Sequence, residues 1–257
     1  PKVSVVVDGG GQIRLAGLKA DVRLTAVASR RWMLSIGGRE PEAVEYDVAP
    51  SLVDAALGRL AELGPGARGA DLSGEAQARM ASPTTRPLVG LFRLRETTAF
   101  GLALPFGSVD WQTLAALGGA AEEDGVSGWR LAPHHGLLAL GASATFPDRA
   151  RELGLITEAD DRRLSVSACI GSEGCASGRI PARSIAARLA ATVPPGVRLH
   201  VSGCSKGCAY PRAADVTLVG LDGAIGLVTG GRASDTPHLL LGDDEVASIV
   251  ARTLRQG

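Results

Sequence analysis

All four cysteines of this 257-residue chain lie within one stretch of 40 residues near the C-terminus. They form two pairs, Cys169-x5-Cys175 and Cys204-x3-Cys208, separated by 28 residues. If the four thiols serve one purpose, the fold has to bring two distant loops together. Four cysteine thiolates are the ligand set of a cubane iron–sulfur cluster. The pattern therefore predicts a [4Fe–4S] cluster held between two loops.

Other uses of four cysteines fit the pattern less well. Structural zinc is typically held by pairs spaced C-x2-C to C-x4-C, so the x5 spacing fits poorly. Disulfides need an oxidising compartment, and a chain of this length has a core without them. Four unrelated buried cysteines would not be accompanied by Gly174, Gly203 and Gly207, which let the backbone approach a bulky inorganic group.

Composition excludes several classes of partner. The 27 basic residues balance 27 acidic ones, which argues against a nucleic-acid or membrane-surface partner. No apolar run approaches the roughly 18 residues of a membrane span, and no signal peptide is recognisable. Reduced cysteines then indicate the cytoplasm. Because the chain opens Pro1-Lys2-Val3 directly into a strand-like run, we expect a further segment upstream.

The N-terminal half is expected to begin with a sheet. Val3–Val7 and Gln12–Leu15 are predicted strands joined as a hairpin by the turn Asp8-Gly9-Gly10-Gly11. Two more strands and a helix follow, the helix capped by Ser51 and ending at Gly64. Residues 65–86 are rich in Gly, Ala, Arg and Pro and are interpreted as a linker or mobile loop.

The remaining residues predict an α+β unit followed by the cysteine segment. From Pro87 the element order includes β-α-β-β-α-β, ending with a strand at Leu164–Ala168, which is typical of a ferredoxin-like sheet. A helix near 181–192, a strand at Val197–Val201, a hairpin around Asp222-Gly223 and a closing helix complete the chain. The predicted domains are listed in order: 1–64, the linker 65–86, 87–163 and 164–257.

The cysteine motif carries a family resemblance. C-x5-C followed after roughly 30 residues by Ser-Gly-Cys-x3-Cys resembles the cluster signature of the sulfite/nitrite reductase superfamily. That resemblance implies a [4Fe–4S] cluster beside an iron tetrapyrrole, and a ferredoxin-like half-domain joined to an α/β tetrapyrrole/[4Fe–4S] domain. Residues 87–165 resemble the second of two ferredoxin-like units, so the first unit, and with it an N-terminal half, is expected to be missing.

Details within the motif favour one branch of the superfamily. Ser205-Lys206 replaces the Pro-Asn usual in siroheme enzymes, and the Cys169–Cys175 loop, the Val-Asp-Gly-Gly-Gly start and the segment 215–220 resemble the precorrin-3B synthase family. The resemblance implies a tetrapyrrole substrate, precorrin-3A, that is hydroxylated at C20 with molecular oxygen and closes a γ-lactone. The cluster would supply electrons from an unidentified donor. A siroheme-dependent sulfite or nitrite reductase and a non-enzymatic iron–sulfur protein remain alternatives.

Candidate residues beyond the four cysteine ligands follow from the substrate's carboxylates. Guanidinium and ammonium groups bind carboxylates, so the substrate-binding candidates are basic. They are Arg79, Arg86, Arg130, His134, His135 and Lys206.

Three of these positions and one further histidine have additional interpretations. His134, His135 and Lys206 are also the catalytic candidates, and one of the two histidines is a candidate ligand of a mononuclear iron. His200, in the strand before Cys204, is either a hydrogen-bond donor to a cluster sulfide or a core residue.

Overall fold

The computed structural model describes residues 3–15, 18–73 and 88–256. The chain divides into two compact units, residues 1–86 and 87–257. No helix in these described ranges is long and apolar enough to cross a membrane.

The first unit is a four-stranded sheet with two helices. Its elements are β1 (Val5–Asp8), β2 (Val22–Ala28), β3 (Arg31–Ile36), β4 (Glu42–Glu45), α1 (Ala49–Leu63) and α2 (Gly69–Ser73). The strands lie in sequence order, and β1 is parallel to β2, whereas the other pairs are antiparallel. Buried side chains of β2, β3 and α1 form its core.

Two predictions for this unit are wrong. The glycine run does not form a hairpin, because β1 pairs with β2 in parallel and Gln12–Leu15 is not a strand. The backbone N–H groups of Gly10 and Leu15 donate to the Asp8 carboxylate, which folds the run into a loop. Ser51 is not the helix cap either: α1 begins two residues earlier, and the Ser51 hydroxyl donates to the Val48 carbonyl.

The second unit begins with an antiparallel sheet covered by two helices. Its elements are β5 (Gly90–Arg93), β6 (Thr98–Ala103), β7 (Gly128–Ala132), β8 (Gly136–Leu140), α3 (Trp111–Glu123) and α4 (Phe146–Glu152), in the sheet order β5-β6-β8-β7. Asp110 caps α3 by accepting a hydrogen bond from the Thr113 N–H at 2.6 Å. The two helices and the sheet enclose one apolar core.

The last strand predicted for this sheet belongs elsewhere. Residues 166–168 form β9 (Val166–Ala168), which pairs in parallel with β10 (Leu199–Ser202) of the next sheet. Before β9 begins, the chain meets the end of β6 in an isolated bridge. There Ala103 and Ile156 exchange backbone hydrogen bonds of 2.9 and 3.0 Å. The chain thus leaves the ferredoxin-like sheet early, and the freed strand carries Cys169 into the second sheet.

The second sheet of this unit has five strands in the order β13-β12-β11-β10-β9. Its remaining elements are β11 (Ala214–Leu221), β12 (Ala224–Gly231), β13 (Leu239–Leu241), α5 (Ala182–Leu189) and α6 (Asp243–Gln256). The predicted hairpin is confirmed: Leu221 pairs with Ala224 across Asp222-Gly223, and Gly223 has a φ of 79°.

The two faces of this sheet differ in polarity. Leu199 and Val201 of β10 lie in the apolar core together with α5 and α6. Because side chains alternate along a strand, His200 lies on the opposite face, as do its register neighbours Ser167 and Thr217. Ser167 and His200 lie in the two strands that lead into the cysteine loops.

Candidate functional site: two cysteine loops and a basic group

Both cysteine loops start at the same edge of the second sheet. Cys169 follows β9 directly, and Cys204 comes two residues after the end of β10. The two strands are adjacent and parallel, with Ala168 opposite Val201, so their carboxyl ends meet. Ligands of parallel sheets typically bind outside these ends. The second sheet therefore brings together the two pairs that the sequence separates by 28 residues.

The loops approach each other at a glycine. The Gly203 N–H donates to the Cys169 Sγ at 3.1 Å. A Cβ atom at position 203 would stand 2.8 Å from the Gly171 Cα and 3.4 Å from the Cys169 Sγ. Only a residue without a side chain permits so close an approach, so Gly203 keeps the first cysteine beside the backbone of the second loop.

Lys206 adds a second link between the loops. Its Nζ donates to the Ser177 hydroxyl at 2.9 Å, and Ser177 follows Cys175 by two residues. Lys206 is exposed and lies at the surface between the cysteine pairs. Glu173, in the first loop, accepts a hydrogen bond from the Ser184 hydroxyl. The Lys206 ammonium thus provides a positive charge where the two loops meet.

The four cysteine side chains form the donor set that a cubane cluster would need. All four cysteines are free; Cys169 and Cys204 are partly buried, whereas Cys175 and Cys208 are exposed. In the described residues no three His, Cys, Asp or Glu side chains converge as ligands of one ion would. A cubane has four irons that each take one thiolate, so its ligands surround a space instead of converging on a point.

The predicted histidine pair forms a strained turn. His134 and His135 join β7 to β8 with φ values of 60° and 62°, both in the left-handed region. Such a conformation costs roughly 1–2 kcal/mol for a residue with a side chain, although histidine adopts it more readily than most. The His135 ring lies against Gly107, where a Cβ would be 2.7 Å from its Nδ1.

A basic group surrounds His134. Desolvation lowers the pKa of His134, and the positive charges of His135, Arg198 and Arg212 lower it further. The Arg198 guanidinium also lies over the Tyr210 ring, 5.2 Å from its centroid. Within the described part of the chain, neither arginine forms an ion pair. Unneutralised cations that share one place favour an anionic ligand.

The sequence did not single out Arg198, Arg212 or Tyr210. Arg198 precedes β10 and Arg212 precedes β11, and both look like ordinary residues at strand ends. Their position close to the second cysteine pair was the one feature of the sequence that could have marked them as site residues. Their proximity to His134 arises because the β7–β8 turn of one sheet reaches the other, which no local pattern reveals.

The remaining predicted residues are less informative. Arg130 is exposed on β7, and its guanidinium donates to the neighbouring Trp129 carbonyl at 2.9 Å. No contact within residues 3–15, 18–73 and 88–256 assigns it to the basic group around His134, so its role stays a prediction. Arg79 and Arg86 lie outside the described residues.

His200 is fully buried behind the second cysteine loop. Neither of its ring nitrogens has a hydrogen-bond partner among the described residues. Its ring meets the Tyr210 ring edge-on, with centroids 6.0 Å apart. Desolvation lowers its pKa to about 4, so the ring is neutral near pH 7.

Comparisons with known proteins place this fold in a class. The structure is similar to that of the NirA protein of Mycobacterium tuberculosis, with a TM-score of 0.62 and 19% identity, over 93% of this chain and 57% of NirA. The chain is therefore an α+β protein of the NirA fold, which confirms the predicted fold class.

One curated relative is more specific. In an alignment that extends over 280 residues, the chain is 34% identical to a precorrin-3B synthase of a Sinorhizobium species. This similarity confirms the resemblance inferred from the cysteine loops. The match takes in 98% of this chain and 61% of that enzyme, so the chain spans about three fifths of the relative's length. No protein-family model matches the chain.

Proposed function

We propose that this chain is the cluster- and substrate-binding part of a precorrin-3B synthase, a monooxygenase acting on a tetrapyrrole in cobalamin biosynthesis. One observation carries the proposal. A chain similar to precorrin-3B synthase along 98% of its length joins its two cysteine pairs at one sheet edge, where the Gly203 N–H meets the Cys169 sulfur. The similarity favours neither a siroheme reductase nor an electron carrier.

Four cysteines would hold the cofactor in this proposal. Cys169, Cys175, Cys204 and Cys208 would each bind one iron of a [4Fe–4S] cluster. When bound, the cluster would supply electrons one at a time. The chain's own contribution is to hold the first thiolate with the Gly203 N–H and to place the Lys206 ammonium between the loops. Both groups stabilise negative charge there.

The basic group would bind the substrate. Precorrin-3A carries acetate and propionate groups, and the Arg198 and Arg212 guanidinium groups can each hold a carboxylate with two hydrogen bonds. The lowered pKa of His134 favours its neutral form near pH 7, so the positive charge of the site comes from the two arginines. Arg130, His135 and Lys206 remain secondary candidates for binding the substrate's carboxylates. No described group of side chains is assigned to a mononuclear iron.

The proposed reaction consumes oxygen and reducing equivalents. One atom of molecular oxygen enters the macrocycle as the hydroxyl group at C20, and the other leaves as water. This balance requires two electrons and two protons, which an external reductant has to provide. The ring-A acetate then closes the γ-lactone by adding its carboxyl group to an adjacent ring double bond, whose π bond breaks, so that this step exchanges no electrons and releases no water. The partners of the chain are thus a tetrapyrrole, molecular oxygen and an electron donor.

The test combines cofactor analysis with turnover. The chain is purified without oxygen, together with any preceding segment encoded with it, and its iron, sulfide and optical spectrum are measured. We expect four irons and four sulfides per chain, no siroheme bands, and hydroxylactone formation from precorrin-3A, oxygen and a reductant. Siroheme bands together with sulfite or nitrite reduction would refute the proposal. A cluster with no product under any reductant would indicate a carrier instead.

A further inference from the structure

A buried histidine without hydrogen-bond partners lies behind the second cysteine loop. His200 is 0% exposed, and both Nδ1 and Nε2 lack a partner among the described residues. A neutral imidazole always carries one N–H donor and one acceptor. Leaving such a group buried and unpaired is costly, and native proteins rarely tolerate it. The position therefore points to a partner that protein atoms do not provide.

The orientation of the ring shows where that partner lies. The atom of His200 near Gly207 is Cε1, which would be 3.8 Å from a Cβ at that position. Cε1 is bonded to both nitrogens, so the polar edge of the ring faces the loop between Cys204 and Cys208. Gly207 has a φ of 61° and no side chain to fill the intervening space. Tyr210 covers the ring from the side.

The opposite edge of the ring is excluded from solvent. The neighbours of His200 in β10, Leu199 and Val201, lie on the other face of the sheet in the apolar core and offer the ring no polar atom. Thr217, beside it in β11, donates its hydroxyl to the Gly231 carbonyl and forms no hydrogen bond with His200. The loop that carries two of the four cysteines is thus the direction in which the ring nitrogens can find an acceptor.

We propose that His200 donates a ring N–H to a sulfur atom of the cluster bound at the Cys204–Cys208 loop and so raises the cluster's reduction potential. The proposal rests on the cluster proposed above. Hydrogen bonds to cluster sulfurs are one of the factors that set the potential, because they stabilise the additional negative charge of the reduced state. His200 would therefore act through the cluster, by tuning its reduction potential, and would not contact the substrate.

Three variants of the anaerobically purified chain test this. His200→Phe keeps a ring of similar size but removes both nitrogens, whereas His200→Gln keeps an N–H donor. His238→Phe is the matched control, since His238 is exposed and its Nδ1 accepts a hydrogen bond from the Thr229 N–H. The readout is the midpoint potential of the cluster, followed by electron paramagnetic resonance during a redox titration.

The expected result is specific to the N–H group. At a fixed potential, His200→Phe should shift the ratio of reduced to oxidised cluster about tenfold towards the oxidised form, which is about 59 mV for one electron. His200→Gln should shift it less, and His238→Phe not at all. An unchanged potential in a His200→Phe variant with full iron content would overturn the proposal.

A measurement on the unaltered protein protects the test against misfolding of the variants. In protein with ¹⁵N-labelled histidine, pulsed electron paramagnetic resonance of the reduced cluster should detect magnetic coupling to one histidine nitrogen. Absence of this coupling in a protein with full iron content would overturn the role of His200 alone. Absence of iron from the unaltered chain would instead overturn the cluster, and this inference with it.

Discussion

Gly203→Ala tests the meeting point of the two cysteine loops most directly. The added methyl group would stand 2.8 Å from the Gly171 Cα and 3.4 Å from both the Cys169 Sγ and the Gly178 Cα. The closest of these neighbours is a backbone atom, which cannot rotate away as a side chain can. One loop therefore has to move away from the other.

The size of the effect follows from the contact distance. Carbon atoms pack best at about 3.5–4.0 Å, so the 2.8 Å contact has to open by about 0.7–1.2 Å. Overpacking of this kind costs about 1–3 kcal/mol. In a unit of this size each kcal/mol lowers the melting temperature by about 2–4 °C, so we expect a fall of about 2–12 °C. The movement also lengthens the hydrogen bond from Gly203 to the Cys169 sulfur.

The assay follows unfolding and cluster content together. Melting of the chain without iron is recorded by calorimetry, and iron is counted after anaerobic reconstitution. Gly118→Ala is the matched control, because Gly118 lies in α3 with no atom within 4 Å of its added Cβ. It should leave iron binding unchanged and stabilise the helix by up to about 1 kcal/mol.

A clear result would refute this reasoning. If Gly203→Ala melts at the same temperature as the unaltered chain and binds four irons, the close approach of the loops is required neither for stability nor for cluster binding. If it melts lower but still binds four irons, the approach serves stability and not the cluster.

Three further predictions concern other parts of the molecule. Cys204→Ser should bind fewer than four irons and lose the iron–sulfur absorption of the unaltered chain, because one thiolate ligand is gone. Asp21→Asn should lower the stability of the first unit by about 1.5–3 kcal/mol at pH 7, because the charged carboxylate accepts hydrogen bonds that include one from the Gly69 N–H. Desolvation raises the pKa of Asp21, but hydrogen bonds outweigh it and hold the pKa below 3.8, so this difference should shrink as the pH falls below about 4. Arg198→Met should raise the KM for the tetrapyrrole about tenfold, which corresponds to about 1.4 kcal/mol, with little change in kcat.

Each of these predictions has its own control and contrary result. A Cys204→Ser chain with four irons and unchanged activity would contradict the ligand assignment. A pH-independent difference between Asp21→Asn and the unaltered chain in calorimetry would contradict the charged hydrogen bonds. Arg232→Met removes an exposed arginine that forms no ion pair among the described residues, and it should leave KM unchanged. Equal effects of the two arginine variants would contradict a specific carboxylate site.

Local patterns predicted several elements of the sheet that holds the cysteine loops. The hairpin at Asp222-Gly223 follows from a two-residue turn with glycine, and the strand before Cys204 follows from an apolar run. These signals are readable because they depend on neighbouring residues only. The parallel pairing of β1 with β2 was missed because the Asp8 carboxylate, and not a turn, folds the glycine run.

The sequence by itself determined that a site is built from four cysteines in two separate loops, and it determined the family that this motif resembles. Spacing, composition and glycine positions are properties of the chain, so they need no coordinates. Only the tertiary structure decided that β9 leaves the ferredoxin-like sheet, that Arg198 and Arg212 lie beside His134, and that His200 is buried without a partner. These features depend on contacts between residues far apart in the chain, and such contacts are set by the packing of whole sheets.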